Sequence, residues 1–182
     1  AILQNDGQLT DAVLRAPHGD GVTVWGEDGA SWSRFDATSN TAAFRDNNLK
    51  LAGGIDLPLG SGIRIGAAGG YSRDTIAAEA RSSSGRVNSF SIGGYAAAEA
   101  DGLSVIGGLD YAWHNVGTTR IVAFGGVNES ERAEYDGNSL NLFTQVAYRI
   151  ELGGGTYLEP EAGLRWSRLI TGAFSETGVL VA

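Results

Sequence analysis

The chain has 182 residues, a formal net charge of −8, 28 Gly, 3 Pro and no Cys. An acidic chain without a basic stripe excludes nucleic acid as a partner, and the lack of cysteine removes disulfides, thiolate chemistry and cysteine metal sites from it. A mean hydropathy of −0.08 and the lack of any 18-residue apolar run exclude a helical membrane protein but leave a membrane β-barrel open, because alternating apolar and polar residues cancel in any window.

Residues 1–21 form the first segment. Leu9 and Val13, with Ile2 and Leu14, mark one side of a short helix that Thr10 or Asp6 caps and that Pro17, Gly19 and Gly21 end. Such a helix is too short to be stable alone and needs a groove or a pore to hold it; the plainer reading is an N-terminal linker. The opening AILQNDGQLTDAV has no basic region or apolar core of a signal peptide, so an exported protein is expected to have its signal further upstream.

From residue 22 on, strand follows strand. The first covers 22–35. In the second, Leu49, Leu51, Gly53, Ile55 and Leu57 face one way and Lys50, Ala52, Gly54 and Asp56 the other. After a tight turn at 58–62 the third continues through Ile63, Ile65, Ala67, Gly69 and Tyr71. The fourth begins at Phe90, and Asp101-Gly102 is a hairpin turn into the fifth, Leu103 to Trp113. The hairpin over 140–168 is the clearest stretch: Leu140, Leu142, Val146, Leu164 and Trp166 share one face, Asn141, Gln145, Arg149, Glu161 and Arg165 the other, with a turn at Gly153-Gly154-Gly155. Each arm keeps phase for about eleven residues, which at about 45° tilt rises roughly 26 Å, the height of an outer-membrane barrel wall.

The connections alternate. Those at 58–62, 101–102 and 153–155 are short, and those at 36–48, 74–86 and 118–137 are long, which is how membrane barrels sort periplasmic turns from outer loops. The inward face carries small residues (Gly54, Gly66, Ala68, Gly70, Gly93, Gly108, Gly163) and charges (Asp56, Arg64, Asp110, Arg149, Glu161, Arg165). A dry soluble core would forgo about 25 cal/mol per Å² of apolar burial to hold them; a wide, wet lumen accepts them. These patterns predict an all-β, antiparallel up-and-down transmembrane β-barrel. The alternative is a soluble or surface-exposed β-sandwich or barrel that binds a partner in the manner of an adhesin.

The runs VWGEDGASWSRFD, LAGGIDLPLGSGIRIGAAGGYSRD, SFSIGGYAAAEADGLSVIGGLDYAWHNVGTTRIVAF and FTQVAYRIELGGGTYLEPEAGLRWSRLITGAFSETG resemble, in order and spacing from Trp25 to Gly178, the translocator β-domain of type V autotransporters. The resemblance implies a twelve-stranded barrel in the bacterial outer membrane with an N-terminal helix in its lumen, no enzymatic activity and no cofactor. It implies a role in exporting a covalent upstream passenger and anchoring it at the cell surface. It implies as partners outer-membrane lipid, the barrel-assembly machinery and periplasmic chaperones. The residues supply roughly seven strands, with 174–182 beginning an eighth, and lack the family's terminal aromatic. Residues 22–182 are therefore expected to be a partial barrel, truncated on its C-terminal side.

Candidate sites are few. Some members of the family cut the passenger at an Asn inside the barrel, and Asn5-Asp6 lies in the corresponding region, though Asn-Asp is also an ordinary helix start. Arg149, Glu161 and Arg165 share a face and are expected to form lumen ion pairs. Trp25, Trp32, Tyr71, Trp113 and Trp166 lie near strand ends and are expected at the membrane interface. His18 and His114 lack carboxylate or Cys company, so neither makes a metal site. Ser104, Asp110 and His114 are spread too far along one strand for a hydrolase triad.

Overall fold

The computed structural model describes residues 8–16, 21–37, 43–78, 83–124, 127–172 and 177–180. One helix, α1 (Gln8–Arg15), precedes β1 (Thr23–Phe35), β2 (Phe44–Gly60), β3 (Ile63–Ala78), β4 (Ser83–Ala100), β5 (Leu103–Phe124) and β6 (Val127–Tyr148). The hairpin β7 (Ile150–Gly153) and β8 (Thr156–Leu158) follows, then β9 (Glu161–Thr171) and β10 (Thr177–Leu180). Each of β1 to β6 pairs antiparallel with the next, and β6 pairs with both β9 and β10.

The expected eighth strand is not a new strand. β9 pairs the Gly137–Ala147 part of β6, and β10 continues along the same edge, with Thr177 opposite Arg132. β6 spans 22 residues, so one edge has room for both. β7 and β8 likewise prolong the β6–β9 hairpin, with Ile150 opposite Leu158. The wall therefore has seven strand positions, and among the described residues its edges β1 and β9 do not meet.

The short turns occupy one end of the sheet. Asp101 (φ 50°) and Gly102 (φ 80°) both take left-handed backbone, the geometry that matches hairpin twist, and Gly153, Gly154 and Gly155 all have positive φ. At the other end the expected long loops are mostly strand. β2 starts at Phe44, β3 runs to Ala78, and β5 and β6 pair from Trp113↔Asn138 to Phe124↔Val127. Alternation of apolar and polar residues is the signal for a half-buried strand, and these segments lack it. They are held by cross-strand polar pairs instead: Asn115 Nδ2 donates to Asp136 at 3.1 Å, and Arg120 pairs with Glu131. In this region burial raises the Asp74 carboxyl above its ordinary range, against an opposing hydrogen bond from Asn48.

The sheet curls. Arg15 of α1 pairs with Glu27 of β1 at 2.5 Å, and Asp11 of α1 pairs with Arg165 of β9 at 2.6 Å. Laid flat, six strand spacings would put β1 and β9 about 29 Å apart, whereas a helix with its side chains is only about 10–12 Å across. Both edges reach the helix only because the sheet wraps it.

The two faces differ in kind. On the convex side Trp32, Val24 and Leu164 are 77%, 76% and 72% exposed, among many exposed Leu, Ile and aromatic side chains. On the concave side Leu9, Ala12, Val13 and Ala16 of α1 are buried with Trp25, Ala68, Tyr95 and Phe143. Glycine makes room for these rings. A Cβ on Gly66 would lie 2.2 Å from the Tyr95 ring, and one on Gly54 2.6 Å from the Trp25 ring.

Gly66→Val should therefore displace Tyr95 and cost about 1–3 kcal/mol, read as a lower temperature for loss of the folded band on a heat-modifiability gel of the full-length protein. Gly69→Ala, whose Cβ would meet only a carbonyl oxygen at 3.5 Å, should stay within about 0.5 kcal/mol of the parent. Equal shifts for the two would contradict the packing argument.

Candidate functional site

The concave face around α1 is the site. The helix presents Leu9, Ala12, Val13 and Ala16 at the i, i+3, i+4, i+7 spacing of one face. Asp11 in its first turn and Arg15 in its last complement the helix dipole. Thr10 is not a cap: it lies within the helix, 1% exposed, and its Oγ1 donates to Asp110 Oδ2 at 2.9 Å. Asp110 also accepts from Asn141 Nδ2 at 2.9 Å, and Asn141 Oδ1 accepts from Ser167 Oγ at 2.5 Å. Register explains the chain of contacts, because Asp110, Asn141 and Ser167 are direct partners across β5, β6 and β9.

Magnitudes decide what holds the helix. Full burial of Leu9 and Val13 contributes about 2 kcal/mol each. The two ion pairs are half exposed, and such pairs are worth about 0–1 kcal/mol. Apolar burial and the Thr10–Asp110 bond hold α1, and the ion pairs set its orientation.

A second network lies toward the short-turn end. Trp25 Nε1 donates to the Tyr95 hydroxyl at 3.0 Å, which donates to Asp56 Oδ2 at 3.1 Å. Asp56 Oδ1 accepts from Arg64 Nε at 2.7 Å. Asp56 and Arg64 lie on either side of the tight turn, Asp56 opposite Gly66 and Arg64 opposite Pro58.

The expected lumen pairs find other partners. Arg149 bonds Glu159 at 2.8 Å and stacks over the Tyr157 ring, Glu161 accepts from Gln145, and Arg165 reaches Asp11 of the helix. The expectation considered strand residues against strand residues and missed the helix that fills the space between them. Trp25 also departs from its expected place. It is 7% exposed and faces inward, because its register partner is Gly54 on the concave row. Trp32, Tyr71, Trp113 and Trp166 are exposed on the convex face. Asn5, Asp6 and His18 lie outside the described residues.

His114 is buried, with Nδ1 2.8 Å from Ser89 Oγ and Nε2 2.9 Å from Ser139 Oγ. Asp110 is committed to Thr10 and Asn141, and Ser104 pairs in register with Glu99 and Ala147. Ser104, Asp110 and His114 thus form no triad. No cluster of three potential metal ligands occurs among the described residues.

A helix held in the concave face of a curled meander with an apolar outer surface is an arrangement with known relatives. The family description "Autotransporter beta-domain" matches residues 24–182. The chain belongs to the autotransporter β-domain family. Autotransporter β-domains reside in the bacterial outer membrane. The fold is similar to the translocator domain of the autotransporter NalP from Neisseria meningitidis, with a TM-score of 0.69 at 19% identity over 94% of this chain and 57% of that one. Two extracellular serine proteases of Serratia marcescens are 25% and 24% identical over 96% of this chain. The chain spans 16% of the length of each of these proteases.

The Thr10–Asp110 bond is testable in this translocator β-domain. Asp110→Ala leaves Thr10 and Asn141 without their acceptor and should cost about 1–3 kcal/mol. Thr10→Val should cost roughly 1 kcal/mol, and the double variant less than the sum of the two singles. Additive losses in a double-mutant cycle of thermal midpoints would show that the two side chains do not interact.

Proposed function

We propose that this chain forms part of the wall of a closed, twelve-stranded outer-membrane translocator that helps export a covalent passenger lying N-terminal to α1 and then anchors it at the cell surface. The observation that carries this reading is α1 itself, bound in a polar concave face whose reverse is apolar. Direction supports it. β1 begins opposite Asp56, near the short-turn end, and Gly21 lies against Arg64 there. The N-terminal end of α1 then faces the extended strand ends. Short turns face the periplasm in such barrels, so this direction is outward. Open edges cannot stand in lipid, which is why further strands are proposed to close β1 to β9. Barrel-assembly machinery and periplasmic chaperones are the partners such closure calls for.

The convex face supports a tilted crossing of the bilayer. The uppermost apolar residues before the polar border are Trp32, Leu49, Tyr71, Phe90, Trp113, Leu140 and Trp166 on successive strands, descending eight residues of register over six spacings. At about 3.3 Å per residue and 4.8 Å per strand this slope corresponds to strands tilted about 40°, close to the tilt of outer-membrane barrels. Asp28 and Ile170, both near the sheet edges, interrupt the border. Trp32, Tyr71, Trp113 and Trp166 are thereby proposed as interfacial aromatics, and Trp25 is not. A soluble module would leave this whole surface in water, and no observation favours that reading.

In the full-length protein in intact Gram-negative cells, an epitope placed ahead of α1 should be removed by added protease without lysis. Protection until lysis would sink the translocator reading. With single-tryptophan variants in brominated phospholipid vesicles, Trp32, Trp113 and Trp166 should be quenched most by bromines near the headgroups and Trp25 hardly at all. Equal quenching of Trp25 would contradict the assignment of faces.

A further inference from the structure

The network of Asp56, Arg64, Tyr95 and Trp25 has a feature that a plain wall does not need. Arg64 reaches past its own pair: its Nη2 donates to the carbonyl of Gly21 at 2.8 Å and to Thr23 Oγ1 at 3.2 Å. Gly21 and Thr23 are where β1 begins. One guanidinium therefore joins a carboxylate of β2 to the start of β1. Its planar fork suits this task, since separate N–H groups serve the carboxylate and the carbonyl at once.

The surroundings fix the fork in place. Asp56 is 0% exposed, and the Arg64 side chain 11%. Asp56 Oδ1 takes Arg64 and Oδ2 takes Tyr95, whose hydroxyl is held in turn by Trp25 Nε1 on β1. Tyr95 can lie there because its register partner on β3 is Gly66. Four strands thus converge on one carboxylate. Burying an ion pair is weak evidence for stability, because desolvation offsets the attraction and apolar side chains of like volume serve a wall as well. A positional use accounts better for a pair that sits at the start of β1.

We infer that Arg64, oriented by Asp56 and Tyr95, is a positioning residue that latches the start of β1 at Gly21 and Thr23, a few residues along the chain from α1, and so keeps the helix seated in the concave face. The latch fixes the point at which the chain enters the wall. It rests on the translocator reading for its purpose but not for its geometry. Loss of the latch frees the first residues of β1 while the strands remain paired, because the ladder from β1 to β9 owes its hydrogen bonds to backbone.

The test uses the full-length protein folded in outer membranes. The stretch has no cysteine, so Ala16→Cys, buried at the end of α1, reports seating through its rate of reaction with a water-soluble maleimide. In that background Arg64→Ala should raise the rate about ten-fold, the signature of a local opening, with the folded band on a heat-modifiability gel retained. Arg64→Lys keeps a cation beside Asp56 but lacks the fork, and should fold and label at an intermediate rate. Tyr95→Phe, which keeps the ring against Gly66 and loses the hydroxyl, should also raise the rate. Unchanged labelling in folded Arg64→Lys and Tyr95→Phe proteins would overturn the latch, even if Arg64→Ala fails to fold. Surface exposure of the upstream epitope, measured in parallel, separates the two claims: an unexposed epitope with faster labelling removes the translocator reading and leaves the latch, and the converse removes the latch alone.

Discussion

The rest of the structure depends on the backbone ladder that runs from β1 through β6 to β9. An antiparallel ladder gives every second side chain to each face, and a one-residue slip would exchange the faces completely. Here that exchange would put Leu142 and Trp166 in the polar concavity and Asp110 and Asn141 against lipid. An Arg or Lys on the lipid face of such a barrel costs about 2–4 kcal/mol at mid-depth and an Asp less, so register is fixed many times over along each strand. Glycine turns with positive φ at one end and interlocked neighbouring turns hold it further: Glu99 N–H donates to Gly62 and Arg149 N–H to Gly102.

That same alternation is why the two faces were legible from sequence alone. The apolar and polar sets over 49–57, 63–72 and 140–168 fall on the faces the pattern assigned, and the inward charges Asp56, Arg64, Asp110 and Arg165 all lie on the concave side. What was illegible lacked the alternation. The strand ends over 74–78, 83–86, 118–124 and 127–137 are mostly polar without regular alternation, so nothing marks them as strand except cross-strand partners such as Arg120 and Glu131, visible only once register is known. Trp25 was misplaced for a different reason. It looks like any strand-end aromatic, and only its position opposite Gly54 turns it inward.

The site was harder to read because it joins residues far apart in sequence. Thr10 and Asp110 are separated by 100 positions and Asp11 and Arg165 by 154. No local motif encodes such contacts. They follow from two facts that the sequence does hold, an amphipathic turn at Leu9 to Ala16 and a row of inward polar residues. What it does not hold is the depth at which the helix sits.

That depth comes from mutual need. An eight-residue helix cannot pay its nucleation cost in water, and a wall lined by Gly54, Gly66, Gly70 and Gly93 has no core of its own. The glycines weaken each strand, yet they lower the wall locally so that Trp25, Tyr95 and Phe143 lie flat and the helix can approach. A built Cβ on Gly70 would already stand 3.6 Å from Leu9. Filling those positions with larger side chains would strengthen the strands and evict the helix. The wall thus gives up strand propensity to gain a core contributed by the segment ahead of β1, which neither the helix nor the sheet could form alone.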